Sequence, residues 1–178
     1  MKICDNTSVG IIITDPDGKY LMFDRATFPP GTAPAAGHID DHGTAEDAAR
    51  AEVGEELGLN VVSLELAVEG WRHNNCRRQR GPRGIGHQWM IFKATVTGHL
   101  VPSVRETKNV RWISPADVQA LAARTRAYAT GHISDDEFMD QPGIEPVWVQ
   151  WLDAVGAIEM SAIDLASIDR VAASSSPS

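Results

Sequence analysis

The stretch GHIDDHGTAEDAARAEVGEELGL, residues 37–59, decides the fold of this chain. Thr44 is a residue type that caps helix N-termini, and Asp47 follows it at the spacing of a capping box. Gly58 has the conformational freedom that a helix C-cap needs. We therefore predict a helix from Thr44 to about Leu57, with both of its ends specified by the local sequence.

The predicted helix carries apolar and acidic side chains on adjoining faces. The apolar stripe consists of Ala45, Val53 and Leu57, and the glutamates Glu52, Glu55 and Glu56 lie at its edge. Like charges at this spacing destabilise a helix by about 0.2–0.5 kcal/mol per pair. A bound cation would offset that repulsion, and carboxylate oxygens suit Mg²⁺ or Mn²⁺. The alternative is an acidic face that is merely solvated.

The same stretch resembles the Nudix box, the motif of the Nudix hydrolase family. The residues that match in register are Gly37, Glu52, Val53, Glu55, Glu56, Gly58 and Leu59. The resemblance implies an α/β (α+β) fold, namely a Nudix-type α/β/α sandwich with a mixed central sheet. It also implies a pyrophosphatase activity, in which water attacks a phosphorus atom of a diphosphate with the help of a divalent metal.

The resemblance also implies roles for individual residues. Glu52, Glu55 and Glu56 would be the metal ligands, and the carbonyl of Gly37 a further ligand. The catalytic candidates are the same three glutamates and Glu106, which stands where many Nudix enzymes keep a loop glutamate as an additional base or ligand. The alternative for Glu106 is an ordinary exposed loop residue.

Two positions depart from the family pattern. Gly43 and Ala51 stand where the family has a Glu and an Arg that are understood to pair, so both partners of that salt bridge are missing together. Losing both avoids leaving one charge without its partner. We expect Thr44, Asp40 and Asp41 to hold the loop instead.

A segment rich in arginine is the second charged feature. Five arginines and no acid lie between Arg72 and His87, whereas seven acids and one base lie between Asp40 and Glu56. Guanidinium groups suit phosphate oxygens, so Arg77, Arg78 and Arg80 are candidates for substrate binding, with Arg83 equally eligible and His38 a further contact. The alternative is a solvated loop.

Cysteine and histidine residues in this part of the chain raise the question of zinc. His73, Cys76 and His87, joined by Cys4 from far upstream, could supply mixed ligands. Their spacing does not match a zinc finger. The competing interpretation is two unpaired cysteines and ordinary histidines.

The remaining sequence predicts one domain of mixed strands and helices. We predict a hairpin from Val9–Thr14 and Lys19–Asp24, a loop over Phe28–Gly37, and a short strand at His38–Asp40. Later elements are strands within 60–72, 87–98 and 109–113, and helices at 116–128 and 146–155. Residues 1–156 would form the Nudix-like domain, and residues 157–178 a weakly helical extension with a disordered tail over Ala172–Ser178.

The global composition narrows the function classes. The 178 residues carry a net charge of −8, which disfavours nucleic acid as a partner, and no apolar run is long enough to span a membrane. Two cysteines make no disulfide framework, so we expect a cytoplasmic protein. The partner we expect is a small phosphorylated molecule, with a homodimer as an open possibility.

Three activities compete at this point. The first is Mg²⁺-dependent hydrolysis of a nucleoside diphosphate linked to another moiety, or of a nucleoside triphosphate. The second is a Nudix-fold sensor that binds a nucleotide without hydrolysing it. The third is a zinc-stabilised interaction module. Isomerisation of an isoprenoid diphosphate is disfavoured, because it needs a cysteine acid/base before the box and none lies between Cys4 and Gly37.

Overall fold

A computed structural model describes residues 2–40 and 42–174 of the chain. Its strands are β1 (Thr7–Ile13), β2 (Tyr20–Arg25), β3 (Thr32–Ala33), β4 (Ala35–Gly37), β5 (Asn60–Arg72), β6 (His87–Thr97) and β7 (Thr107–Ile113). Its helices are α1 (Ala45–Leu57), α2 (Pro115–Ala129), α3 (Asp135–Asp140), α4 (Pro146–Ala154) and α5 (Ala162–Ser174).

The strands form two sheets. One has the order β4-β1-β6-β5 and the other the order β3-β2-β7. β1 and β6 run parallel, and every other pairing between these strands is antiparallel. The first sheet is therefore mixed, as the family resemblance implied.

Helices cover both faces of the strands. Alternate residues of β1 and β2, such as Val9, Ile11 and Phe23, pack in one apolar core with Ala48, Val53 and Leu57 of α1. The intervening residues, such as Ile12 and Met22, pack in a second core with Val118 of α2 and Trp148 and Trp151 of α4. Because successive side chains of a strand point to opposite faces, the β-branched run of β1 supplies both cores. The fold is an α/β/α sandwich.

The predicted hairpin is wrong, although its turn forms. The turn is closed by the Asp15 N–H, which donates to the Lys19 carbonyl at 2.9 Å, and by an isolated bridge between Thr14 and Tyr20. Beyond that bridge β1 pairs with β6 and β4, and β2 pairs with β7 and β3. The parallel partner of β1 is remote in sequence, so the local turn signal could not indicate it.

The loop predicted for Phe28–Gly37 contains two short strands, β3 and β4. Ala33 and Ala35 are 0% and 1% exposed, and β4 pairs antiparallel with β1. The strand expected at His38–Asp40 does not form, because β4 ends at Gly37 and these residues lie in the turn that follows it. Proline and glycine signalled a loop, but the small alanines allow this segment to pass closely between β1 and α1.

The capping prediction for α1 is confirmed. Thr44 Oγ1 accepts the Asp47 N–H at 3.1 Å, the Asp47 carboxylate accepts the Thr44 N–H, and Gly58 has a φ of 69°. The capping box holds the first turn of α1 without the missing Glu–Arg pair, and Gly58 ends the helix.

The C-terminal segment is more regular than its composition indicated. α5 continues through Ser174, so Ala172–Ser174, assigned to the tail, are helical, while residues 175–178 lie outside the described part of the chain. Ile168 is 0% exposed, and the Asn75 N–H donates to the carbonyl of Ala172 at 3.1 Å. α3 was not predicted, although Ser134 and Glu137 form a capping box. In the described ranges, no helix combines the length and the apolar character needed to cross a bilayer.

Candidate active site

The three glutamates of α1 lie along the edge of the helix that faces the end of β4. Glu56 is 5% exposed and its Oε2 accepts the Ala36 N–H at 3.0 Å. The Glu52 side chain is 12% exposed, and Glu55 is exposed. The edge therefore presents one buried, one largely buried and one open carboxylate.

Gly37 is the residue that admits the Glu52 carboxylate. A Cβ atom added at Gly37 would lie 1.6 Å from Glu52 Oε1. No atom tolerates that approach, so glycine is required here if the Glu52 carboxylate is to occupy this position.

A cavity of about 410 Å³ opens over these carboxylates. Its lining includes Glu52, Glu55, Glu56, Glu106, Gly37, His38, His42, Arg25, Arg77, Arg78 and Phe28. Four carboxylates from α1 and from the loop before β7 thus share one pocket with guanidinium groups. The sequence assigned the four glutamates and Arg77 and Arg78 to function, and the tertiary structure brings them together.

The carboxylates are held in a setting that penalises their charge. Burial, together with the charges of Glu55 and Glu106, raises the pKa of Glu52 to about 8. Burial also raises the pKa of Glu56 well above its usual range, with the charge of Glu52 adding to the effect. Arg25 opposes both shifts. Hard oxygen donors with uncompensated negative charge fit a divalent cation such as Mg²⁺ or Mn²⁺.

We expect the ionisation of Glu52 to make the stability of the protein depend on pH between about 6.5 and 8. Glu52 keeps its proton in the folded chain up to a pKa of about 8 but loses it near 4.5 when unfolded. The free energy of unfolding should therefore fall by about 1–2 kcal/mol over this window. His38 and His87 have the opposite effect on the free energy of unfolding, because burial lowers their pKa from 6.5 to about 4 in the folded chain. Their contribution to stability rises with pH, and it does so only below about 6.5.

Urea denaturation at the two pH values checks this expectation. Glu52→Gln, the matched control, should show a smaller decline. Added Mg²⁺ should also reduce the decline in wild type, because it binds the ionised carboxylates. An equal decline in wild type and Glu52→Gln would contradict the role given to this carboxylate.

The arginine segment is divided between the pocket and its surroundings. Arg78 Nη1 lies 2.7 Å from Asp40 Oδ2, which also lies 2.9 Å from Lys2 Nζ. Arg77 Nη2 lies 3.8 Å from Glu106 Oε1, and its side chain is 63% exposed. Asp40 therefore ties the loop after β4 to the arginine segment, as expected for a loop that lacks the family salt bridge. Asp41 lies outside the described residues.

Two other arginines of this segment lie elsewhere. Arg80 is exposed and does not line the pocket, and the Arg83 guanidinium lies 4.1 Å from the centre of the Trp71 ring. Of the arginines proposed for substrate, Arg77 and Arg78 are those positioned to meet one in this cavity.

Arg25 and Glu145 also line the pocket, although neither was predicted from the sequence. Arg25 Nη1 lies 3.4 Å from Oε2 of Glu145, which is 2% exposed, and Arg25 Nε donates to the Pro29 carbonyl at 3.0 Å. Burial raises the pKa of Glu145. Arg25 ends β2 and Glu145 precedes α4. Nothing local in the sequence distinguishes either from an ordinary surface charge.

Three of the four expected Cys/His residues converge beside the glutamates, and His38 takes the place predicted for His73. Cys4, His38, Cys76 and His87 lie together, and their possible ligand atoms are all within 4.8 Å of one another. His73 does not join them, since its Nδ1 lies 3.8 Å from Asp169 Oδ2 of α5. The sequence has no cysteine just before the box, but Cys76 lies at the pocket wall and so supplies a thiol to the site.

Comparisons with known proteins agree with this architecture. The family model for the NUDIX domain matches residues 5–133. An isopentenyl-diphosphate Delta-isomerase from Nocardia farcinica is 32% identical over 127 residues, covering 66% of this chain and 69% of the relative.

Solved structures show the same fold at low sequence identity. The E. coli dihydroneopterin triphosphate pyrophosphohydrolase superposes with a TM-score of 0.54 at 20% identity, covering 67% of this chain and 88% of that one. The MutT NUDIX hydrolase of Burkholderia pseudomallei has a TM-score of 0.53 at 18% identity, covering 65% and 86%. The family match covers most of the chain and includes the helix that carries the glutamates, and the chain therefore belongs to the Nudix hydrolase family of enzymes.

Proposed function

We propose that this enzyme hydrolyses a diphosphate bond in a nucleotide-type substrate and requires Mg²⁺ or Mn²⁺. The observation that carries the proposal is the pocket in which Glu52, Glu55, Glu56 and Glu106 face Arg77 and Arg78. Carboxylates concentrate divalent cations and guanidinium groups bind phosphate oxygens, so a metal-bound diphosphate satisfies both halves of the cavity.

Glu52, Glu55 and Glu56 would hold the cation, with the Gly37 carbonyl as a further ligand. A divalent metal bound there supplies a bound water of lowered pKa and neutralises charge on the phosphates. Gly37 lets the Glu52 carboxylate approach, and the Ala36 N–H orients the Glu56 carboxylate from behind.

Glu106 is the candidate for accepting a proton from the attacking water. It comes from the loop before β7 rather than from α1, and Arg77 lies within 3.8 Å of it. The Arg77 guanidinium lies beside this carboxylate at the cavity, where a second arginine, Arg78, is held by Asp40. Phe28 is half-buried at the pocket wall, where it is available to stack against a nucleobase.

A substrate panel tests the proposal. The protein is incubated with Mg²⁺ and, in separate reactions, nucleotide sugars, dinucleotides and nucleoside triphosphates, and products are resolved by chromatography. We expect Mg²⁺-dependent cleavage of at least one class and its loss in Glu56→Gln. Tight binding without turnover, unchanged in Glu56→Gln, would instead support a nucleotide sensor and would refute hydrolysis.

We expect replacement of Arg77, which lines the pocket, and of Arg80, which does not, to have different effects on KM. Arg77→Ala should raise KM about tenfold, because a charge-assisted contact to phosphate is lost. Arg80→Ala removes the same charge from the same loop but outside the cavity, and should leave KM unchanged. Steady-state kinetics on the best substrate decides, and equal effects would show that only the overall field of the loop matters.

A second candidate is isomerisation of an isoprenoid diphosphate. The Nocardia farcinica relative bears that activity in its name, and Cys76 shares the pocket with Glu106. Shifting a double bond adds one proton and removes another, so both groups would be needed as acid and base. Isopentenyl diphosphate therefore belongs in the panel, and an isomerised product with its diphosphate intact would favour this candidate over hydrolysis.

A further inference from the structure

Four potential metal ligands from distant parts of the chain meet beside the glutamates. Cys4 precedes β1, His38 follows β4, Cys76 lies between β5 and β6, and His87 begins β6. Cys4 and His87 are 3% and 1% exposed, and His38 and Cys76 are half-buried. Such a convergence of two thiols and two imidazoles is the donor set of a tetrahedral zinc site.

The separations within the cluster agree with that geometry. Cys4 Sγ lies 3.4 Å from His38 Nε2 and 3.1 Å from His87 Nε2. The bond lengths of zinc to sulfur and to nitrogen put ligand atoms about 3.5 Å apart in a tetrahedron. Both imidazoles also direct the same atom, Nε2, at the sulfur.

The surrounding hydrogen bonds prepare His87 to bind a metal. Asn74 Oδ1 accepts from Trp89 Nε1 at 3.3 Å, and since an indole nitrogen only donates, this contact identifies Oδ1 as an acceptor. His87 Nδ1 lies 2.9 Å from the same oxygen and must therefore carry the proton. Nε2 of His87 is then left with a free lone pair facing Cys4, as in zinc sites whose histidines are oriented by a neighbouring carbonyl.

The sulfur of Cys4 has a similar support. The backbone N–H of Asn6 donates to Cys4 Sγ at 3.3 Å. Burial raises the pKa of the Cys4 thiol to about 12 in the metal-free protein, and the Asn6 N–H opposes that shift by stabilising the sulfur when it is a thiolate. This thiolate would be formed on metal binding, with release of the thiol proton.

We propose that Cys4, His38, Cys76 and His87 bind one Zn²⁺ ion in a closed tetrahedral site. Four protein ligands leave no open position, so the ion is structural rather than catalytic. It joins the N-terminal segment, the turn after Gly37 and the loop that carries Arg77 and Arg78, and so keeps those arginines above the carboxylates. Two zinc-bound thiolates are also unavailable for proton transfer, which agrees with hydrolysis rather than isomerisation.

Metal analysis of the full chain, purified in reducing buffer without chelator and supplied with ZnCl₂, tests the proposal. We expect about one zinc per chain in wild type, a loss of most of it in Cys76→Ser and in His87→Gln, and retention in His73→Gln. His73 is the matched control because it is an exposed histidine three residues from Cys76. Glu55→Gln should also retain zinc, which separates this site from the carboxylates.

Cobalt substitution of wild type provides a measurement that does not depend on how the variants fold. Co²⁺ in this site should show thiolate charge-transfer absorption and the intense visible bands of tetrahedral cobalt. Cobalt spectra without thiolate bands, a zinc-free protein holding a Cys4–Cys76 disulfide, or zinc lost in Glu55→Gln but not in Cys76→Ser would overturn the proposal. None of these results depends on hydrolysis, so the proposed activity stands or falls separately.

Discussion

Replacing Glu56 by Gln is expected to lower kcat for diphosphate hydrolysis by about 10²–10³-fold, which corresponds to the loss of several kcal/mol of transition-state stabilisation. Glutamine keeps an oxygen that can accept the Ala36 N–H, so the contact between β4 and α1 survives. What is lost is one negative charge at the proposed metal site. Steady-state kinetics at saturating Mg²⁺ measures the effect.

The same variant should not destabilise the metal-free protein. Burial raises the pKa of Glu56 well above its usual range, so the ionised carboxylate costs folding free energy that a neutral amide does not. We expect the melting temperature without added Mg²⁺ to stay level or rise as activity falls. Glu46→Gln, an exposed change in the first turn of α1, serves as the control. An active Glu56→Gln enzyme would remove this residue from the metal site.

The second large effect is expected from Gly37→Ala. The new Cβ would lie 1.6 Å from Glu52 Oε1, so the carboxylate must move by more than an ångström. Misplacement of a catalytic group on this scale costs about 10²-fold in rate. The fold should survive, because the atom displaced is the end of a side chain rather than backbone.

Two comparisons isolate this mechanism. Gly54→Ala also adds a methyl group beside the glutamates, but its nearest neighbour is the Leu59 carbonyl oxygen at 3.9 Å. It should preserve activity and stabilise α1 by up to about 1 kcal/mol. In a Glu52→Gln background, Gly37→Ala should add little to the loss, since both changes act through the same carboxylate. Fully additive losses would contradict that explanation.

The features predictable from sequence are those set by neighbours along the chain. The Thr44 and Asp47 capping box and the Gly58 C-cap depend only on residues within one helix, and their geometry is as expected. The helical period likewise puts Glu52 and Glu56 at the edge of the apolar stripe. The box spacing was enough to identify the family because its seven matching residues lie in one continuous stretch, from the end of β4 to just past α1.

The failed predictions concern partners that are remote in sequence. A turn at Asp15–Lys19 favours a hairpin locally, yet pairing of β1 with β6 is decided by burial of β1 on both faces. His73 lies closer in sequence to Cys76 than His38 does, but the loop geometry brings His38 and not His73 to the thiols. Arg25 and Glu145 form an ion pair in the cavity lining, and no local motif indicates that these two residues meet.

The sequence by itself therefore determined the family, the glutamate-bearing helix and the kinds of charge that serve the site. Spacing along a helix translates directly into position on its surface, so residues 37–59 specify the acidic edge without further information. Only the tertiary structure decided which arginines reach the carboxylates, that Gly37 makes room for Glu52, and that Cys4, His38, Cys76 and His87 share one point. Those outcomes depend on how the strands pair and pack, which is settled by burial over the whole domain.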